Sequence, residues 1–170
     1  MRTETNKILF AIDYEKASLK EKELGVKIIP CSPQIKNTGL YADAGIDLFA
    51  AYPFTVPPHD FRVVDSFVVL LMPVGVAGFI WPRGGDLFLV GSGVIDTGYT
   101  GTIKVRIVNP YSTEMRWGYG DSIGQVVLFR KGVLSFPALE EVDKVRALQL
   151  AQEISDEQGR GDDGRINQYC

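Results

Sequence analysis

Asp96 and Tyr99 lie three residues apart in GVIDTGYTG, residues 93 to 101, and a carboxylate beside an aromatic ring can act on a bound ligand. The arms around them, Val94 to Asp96 and the later TIKVRIVN, are β-rich, and Gly98 can take a positive φ at no steric cost. The stretch therefore reads as a β-hairpin with this pair at its tip. Flanking glycines leave main-chain N–H and C=O groups open to a flat ligand, because no side chains stand in the way. Turn chemistry offers an alternative reading: Asp96 caps its own turn and Tyr99 packs on a neighbouring strand.

What must hold such a tip in place is a β-rich chain. The 170 residues suit one domain with a genuine core, 45% of them are hydrophobic, and 18 glycines and nine prolines imply many turns. A net charge of −3 supplies no basic field for nucleic acid or an anionic membrane, so neither is expected as a partner. A small anion would need local Arg, Lys or a metal ion. With two cysteines, Cys31 and Cys170, and the single His59, zinc chemistry has no ligand cluster. The polar start MRTETNKILF is unlike a signal peptide and the longest apolar run, Phe67 to Met72, is too short for a membrane span. A cytoplasmic protein with reduced cysteines is the expectation.

Residues 1 to 24 form an N-terminal extension: a short β-like run, Ile8 to Ile12, then a charged segment that suits either a solvated helix or a loop. Residues 25 to 138 read as the main domain. VKIIP, IDLFAA, FTVPP, FRVVDSFVVLLM, GVAGFIWP, LFLV, GVID, GTIKVRIVN and SIGQVVLFRKGV are Val-, Ile- and Phe-rich runs closed by Gly, Pro or Asp, as in successive antiparallel strands. No helical period intervenes, which predicts an all-β jelly-roll-like barrel or sandwich. In 139 to 170, Val142, Val145 and Leu148 recur at helical spacing, so one short amphipathic helix is expected, followed by a mobile, Gly-rich arm.

Four further stretches accompany the first: AGIDLFA at 44 to 50, PRGGD at 82 to 86, GDSIGQVVLFR at 120 to 130 and RGDDG at 160 to 164. In order and spacing the five resemble the signature motifs of the trimeric dUTPase family, over roughly residues 26 to 164. The resemblance implies a jelly-roll barrel and a homotrimer whose sites are shared among subunits. It also implies Mg²⁺-dependent attack of water on the α-phosphorus of dUTP, yielding dUMP and diphosphate. Asp96 then corresponds to the water-activating carboxylate, a role that a carboxylate at a bend can fill as general base. Tyr99 corresponds to the ring against the deoxyribose, where a ribose 2′-hydroxyl would collide. The main chain of Gly93, Val94 and Ile95 corresponds to the groups that read the base. Arg83, Gly84 and Gly85 of the second motif and Gln125 of the fourth face the phosphates, and the Arg83 fork suits phosphate oxygens. Asp47 matches an acid that meets Mg²⁺ through water, and Arg160 a tail arginine over the outer phosphates. Structural alternatives stand beside these: Asp47 bonding a nearby loop, Gln125 satisfying strand ends, Arg160 in a solvated tail.

Departures from the family pattern are specific. Gly84 stands where the family has a serine, and loss of one preorganised donor costs on the order of a hundredfold in rate. The segment between Arg83 and Asp96 is several residues short, and Gly98 and Thr100 differ from the family's hairpin. Arg165 replaces the motif-five aromatic, although an Arg plane can stack on a base. A second reading is thus a homologue that binds nucleotide or a protein with impaired catalysis. The related dCTP deaminases place a glutamate where Arg106 stands, and an arginine cannot shuttle protons near neutral pH, which argues against deamination.

Overall fold

The computed structural model describes residues 9–36, 43–72, 74–130 and 143–157. The chain divides into two compact units, Met1–Val133 and Leu134–Cys170.

In the first unit, β1 (Leu9–Ile12) pairs antiparallel with β5 (Val68–Leu71). The charged segment that follows is a helix, α1 (Tyr14–Leu24). Its ends explain it: the Asp13 carboxylate accepts the Lys16 N–H at 2.9 Å, and Gly25 closes the last turn at φ 67°. Ala17 anchors the helix by packing with Phe67, Ile28 and Ala51.

The site is carried by one four-stranded antiparallel sheet ordered β2-β11-β6-β8: β2 (Gly45–Phe49), β11 (Ser122–Arg130), β6 (Val76–Trp81) and β8 (Gly93–Ile95). A three-stranded sheet joins β4 (Phe61–Asp65), β9 (Lys104–Val108) and β7 (Leu89–Gly91), and β10 (Met115–Trp117) pairs with β3 (Phe54–Val56). Alternation turns Ile46, Leu48, Ile80, Ile95 and Val126 inward to meet Val105, Ile107 and Ile123 in one core. The all-β expectation with one C-terminal helix holds, and α1 is the helix added to it. Among the described residues the strands form separate sheets and do not close into a barrel.

Three local expectations need correction. VKIIP joins no ladder; the Ile29 N–H reaches the Ala51 carbonyl at 2.8 Å, and Ile28 alone turns inward. FRVVDSFVVLLM is two strands, because Phe67 breaks the run at φ 58°, its N–H held by the Asp65 carboxylate at 2.8 Å. Most consequentially, the arms beside Asp96 do not pair with each other as a simple hairpin. β7 pairs with β9, and after Ser92 the chain crosses to lay β8 against β6 in the other sheet. Glycine permits the crossing: a Cβ on Gly91 would lie 2.9 Å from Arg106 Cδ, and one on Gly93 3.1 Å from Ile80 Cδ1.

In the second unit, α2 (Lys144–Glu157) is the expected C-terminal helix, and the Asp143 carboxylate accepts the Arg146 N–H at 2.9 Å at its start. Arg160, Arg165 and the arm around them lie outside the described residues.

Candidate active site

The outer face of the four-stranded sheet brings three of the expected residues together at one corner. Asp47 on β2 lies opposite Gln125 on β11, which lies opposite Trp81, and the chain leaves β6 through Pro82 to Arg83. The Asp47 side chain is covered: Arg83 Nε lies 3.4 Å from Oδ1 and Lys36 Nζ 4.0 Å from Oδ2, leaving the residue 7% exposed. Its main chain exchanges two hydrogen bonds with Gln34, at 2.7 and 3.1 Å. Gln125 donates Nε2 to the Pro82 carbonyl at 3.0 Å, so the amide also has the structural role open to it in the sequence. Gly45 makes room for that amide, since a Cβ at Gly45 would overlap Gln125 Oε1.

Arg83 to Asp86 form a tight turn. The Arg83 N–H donates to Asp86 Oδ2 at 2.7 Å, the Asp86 N–H returns to the Arg83 carbonyl at 3.1 Å, and Gly85 sits at φ 94°. Gly84 and Gly85 are exposed, with open space where side chains would stand. The corner pairs exposed glycine N–H groups with a guanidinium, and both suit an anion.

Asp96 follows Ile95 of β8 at a second corner of the same face, and Tyr99 stands in the bend beyond it. The Tyr99 N–H closes the bend on the Asp96 carbonyl at 3.1 Å, Gly98 supplies φ 84°, and the Thr97 hydroxyl ties the bend to the Val76 carbonyl at 2.6 Å. The Asp96 carboxylate is exposed and has no hydrogen bond or ion pair among the described residues. Tyr99 is 44% exposed, lies over Gly101 and donates its hydroxyl to the Thr102 carbonyl at 3.2 Å. The bend is thus capped by main chain and Thr97 while Asp96 stays available. Neither residue is part of the packed interior.

The corners are apart. Ile95 is level with Gly78 and Gln125 with Trp81, three residues along β6, or roughly 10 Å at the usual strand rise. Asp96 and Arg83 lie beyond those points in opposite directions. Between them the face is apolar: Phe79, Trp81 and Val94 are exposed, and Phe79 stacks on Phe129 with ring centroids 4.5 Å apart.

Arg106 points outward from β9 with its guanidinium 5.4 Å from the centre of the Phe61 ring, away from this face. Sequence reasoning missed three contributors to the first corner: Lys36, Asp86 and Ser122. The acid following PRGG was a visible signal for Asp86; Lys36 and Ser122 carry none that separates them from ordinary surface residues. No group of three His, Cys, Asp or Glu side chains fit to hold a metal occurs among the described residues.

A mostly β chain with a guanidinium beside exposed glycines at one corner and an exposed carboxylate on the same sheet face is of a class suited to a small anionic ligand. Comparison with known proteins specifies which. The dUTPase family profile matches residues 33–157. The deoxyuridine 5′-triphosphate nucleotidohydrolase of Mycolicibacterium gilvum is 34% identical over 129 residues, covering 72% of this chain and 82% of the relative. That of swinepox virus is 34% identical over 113 residues, covering 64% of this chain and 77% of the relative. A mutant dUTPase from phage phi11 of S. aureus, solved to show coordination of a structural Mg(II) ion, superposes with a TM-score of 0.60 at 20% identity, covering 82% of this chain and 98% of that one. The chain belongs to the dUTPase family.

Proposed function

We infer that this chain hydrolyses dUTP to dUMP and diphosphate, and that each site is completed by more than one copy of the chain. One observation carries the second part: the exposed Asp96 and the Arg83–Asp47–Gln125 corner share a sheet face but stand too far apart within one copy. A general base must come within hydrogen-bond reach, directly or through one water, of the nucleophile it activates. A neighbouring copy that covers the aromatic middle of the face brings its Asp96 to this copy's Arg83. Burial of Phe79, Trp81 and Val94 supplies the apolar contact area, and closed symmetry makes every site equivalent. A trimer is the arrangement expected of the family.

Within that site Arg83, the N–H groups of Gly84 and Gly85, and Gln125 bind the triphosphate. Gln125 must exchange its bond to Pro82, or share it, to do so. Asp96 draws a proton from the water aligned on the α-phosphorus. Tyr99 packs against the deoxyribose and excludes a 2′-hydroxyl, while the main chain of Gly93, Val94 and Ile95 reads uracil. Arg160 covers the outer phosphates.

Mg²⁺ fits one feature of the corner. Asp47 is bracketed by two cations, unsuited to hold an ion directly but suited to contact a hydrated one carried by the triphosphate. The ion would offset phosphate charge as the leaving diphosphate forms.

Diphosphate release measured with dUTP, dCTP, dTTP and UTP in the presence of Mg²⁺ tests the reaction: turnover of dUTP with little of UTP is expected. Shared sites are tested by co-refolding Asp96→Asn chains with Arg83→Ala chains. Each alone is inert, whereas random mixing restores on the order of a quarter of the sites if the two groups come from different copies in a cyclic assembly. No recovery in the mixture would place both groups in one chain's site.

A further inference from the structure

The turn that presents Arg83 contains two adjacent glycines with nothing packed on either, and glycine gives up more backbone freedom on ordering than any other residue. Something must hold it. A ring of bonds does so through Asp86. A single oxygen, Oδ2, accepts both the Arg83 N–H at 2.7 Å and the Ser122 hydroxyl at 3.2 Å. Ser122 Oγ in turn accepts the Gly124 N–H at 3.3 Å. The next residue, Gln125, completes the ring by donating to the carbonyl of Pro82, the neighbour of Arg83.

We propose that Asp86 is a positioning residue of the hydrolytic site: through Oδ2 it locks the Arg83 turn to the start of β11, so that Arg83 and Gln125 meet the triphosphate as one preformed unit. The chemistry of the brace requires an acceptor, not a charge. A negative group beside a phosphate site repels the ligand, so an uncharged acceptor in the same place serves equally well or better. The brace rests on the reading that Arg83 and Gln125 bind the triphosphate, and its test separates the two ideas.

Steady-state diphosphate release from dUTP with Mg²⁺ is measured for the full chain and for Asp86→Ala, Asp86→Asn, Ser122→Ala and Arg83→Ala, together with thermal unfolding. Asp86→Ala is expected to lower kcat/KM by about tenfold to a hundredfold, with kcat falling as well as KM rising, since a displacement of about 1 Å costs up to that much. Asp86→Asn, whose amide oxygen can accept both bonds, stays near the parent, and Ser122→Ala falls between. If Asp86→Ala does not fold, Ser122→Ala and Asp86→Asn still decide, because a twofold or larger loss in the first and none in the second is required. Parental kinetics in both Asp86→Ala and Ser122→Ala, beside an inert Arg83→Ala, overturns the brace and leaves the site reading intact. Asp86→Asn as deficient as Asp86→Ala overturns it as well, because charge would then be what matters. An Arg83→Ala variant with parental turnover removes the site reading itself.

Discussion

The two corners of the sheet differ in how finished they are. At the first, Asp47 already faces Arg83 and Lys36, Gln125 is bonded to Pro82, and Asp86 ties the turn to β11. At the second, the bend is fixed by main chain and Thr97, yet the Asp96 carboxylate projects into solvent without a partner among the described residues. The contrast fits the tasks proposed for the two corners. Groups that bind a polyanion gain from being oriented before it arrives, because reorganisation is then avoided during the reaction. A base tied up in an ion pair would be a poor base, and it needs only to be delivered at the right place. Under the shared-site proposal, the polar corner is built within one copy and the carboxylate is delivered by a neighbouring one.

The largest effect expected from breaking this contrast is at the delivered group. Asp96→Asn should reduce turnover of dUTP by about 10²- to 10⁴-fold, the range for loss of a general base, while the unfolding midpoint stays put because the side chain has no partner among the described residues. A loss under threefold would remove Asp96 from the chemistry. Next is the contact surface between the corners. Trp81→Glu places a charge in the aromatic middle of the face and should shift the assembly to monomers by sedimentation, with activity lost in parallel; an intact, active oligomer would show that copies meet elsewhere.

At the finished corner, Gly45→Ala should push the Gln125 amide out of place and lower kcat/KM by about tenfold, with some loss of stability from overpacking. A crystal structure of the variant with Gln125 unmoved would contradict this account. Gly84→Ser works the other way: open space surrounds the position, so the hydroxyl fits and should raise kcat/KM by up to about a hundredfold through one added donor. A neutral or harmful outcome would mean that the hydroxyl cannot reach the phosphates from this shortened turn. The smallest effect belongs to Lys36→Ala. Lys36 is more than half exposed at 4.0 Å from Asp47, and such pairs contribute about 1 kcal/mol or less, so kcat/KM should change by less than about fivefold.

Much of this was written in the order of residue types. Val-, Ile- and Phe-rich runs closed by Gly, Pro or Asp announced β2, β3, β6, β9 and β11, and the spacing of Val145 and Leu148 announced α2. Such runs are legible because β-branched and aromatic side chains suit a pleated, half-buried surface. β10 was missed because Met115–Trp117 holds no Val, Ile or Phe, and Trp117 owes its place to stacking on Phe54 at 4.9 Å, a contact made 63 residues away in sequence. α1 was left between helix and loop because its apolar content is slight; Asp13, Gly25 and the burial of Ala17 against Phe67 settle it.

The same division holds for the site. Residue chemistry alone determined that Asp96 could be a base, Arg83 a phosphate fork and Tyr99 a ring for a sugar, since these capacities belong to the side chains wherever they are placed. Where they are placed was decided by tertiary structure. The chain crosses from one sheet to the other at Ser92, so β8 pairs with β6 rather than with its nearer neighbour β9, and register then carries Asp96 to one end of a face and Arg83 to the other. Strand pairing is chosen by the burial of all the strands together, and no local stretch contains that information.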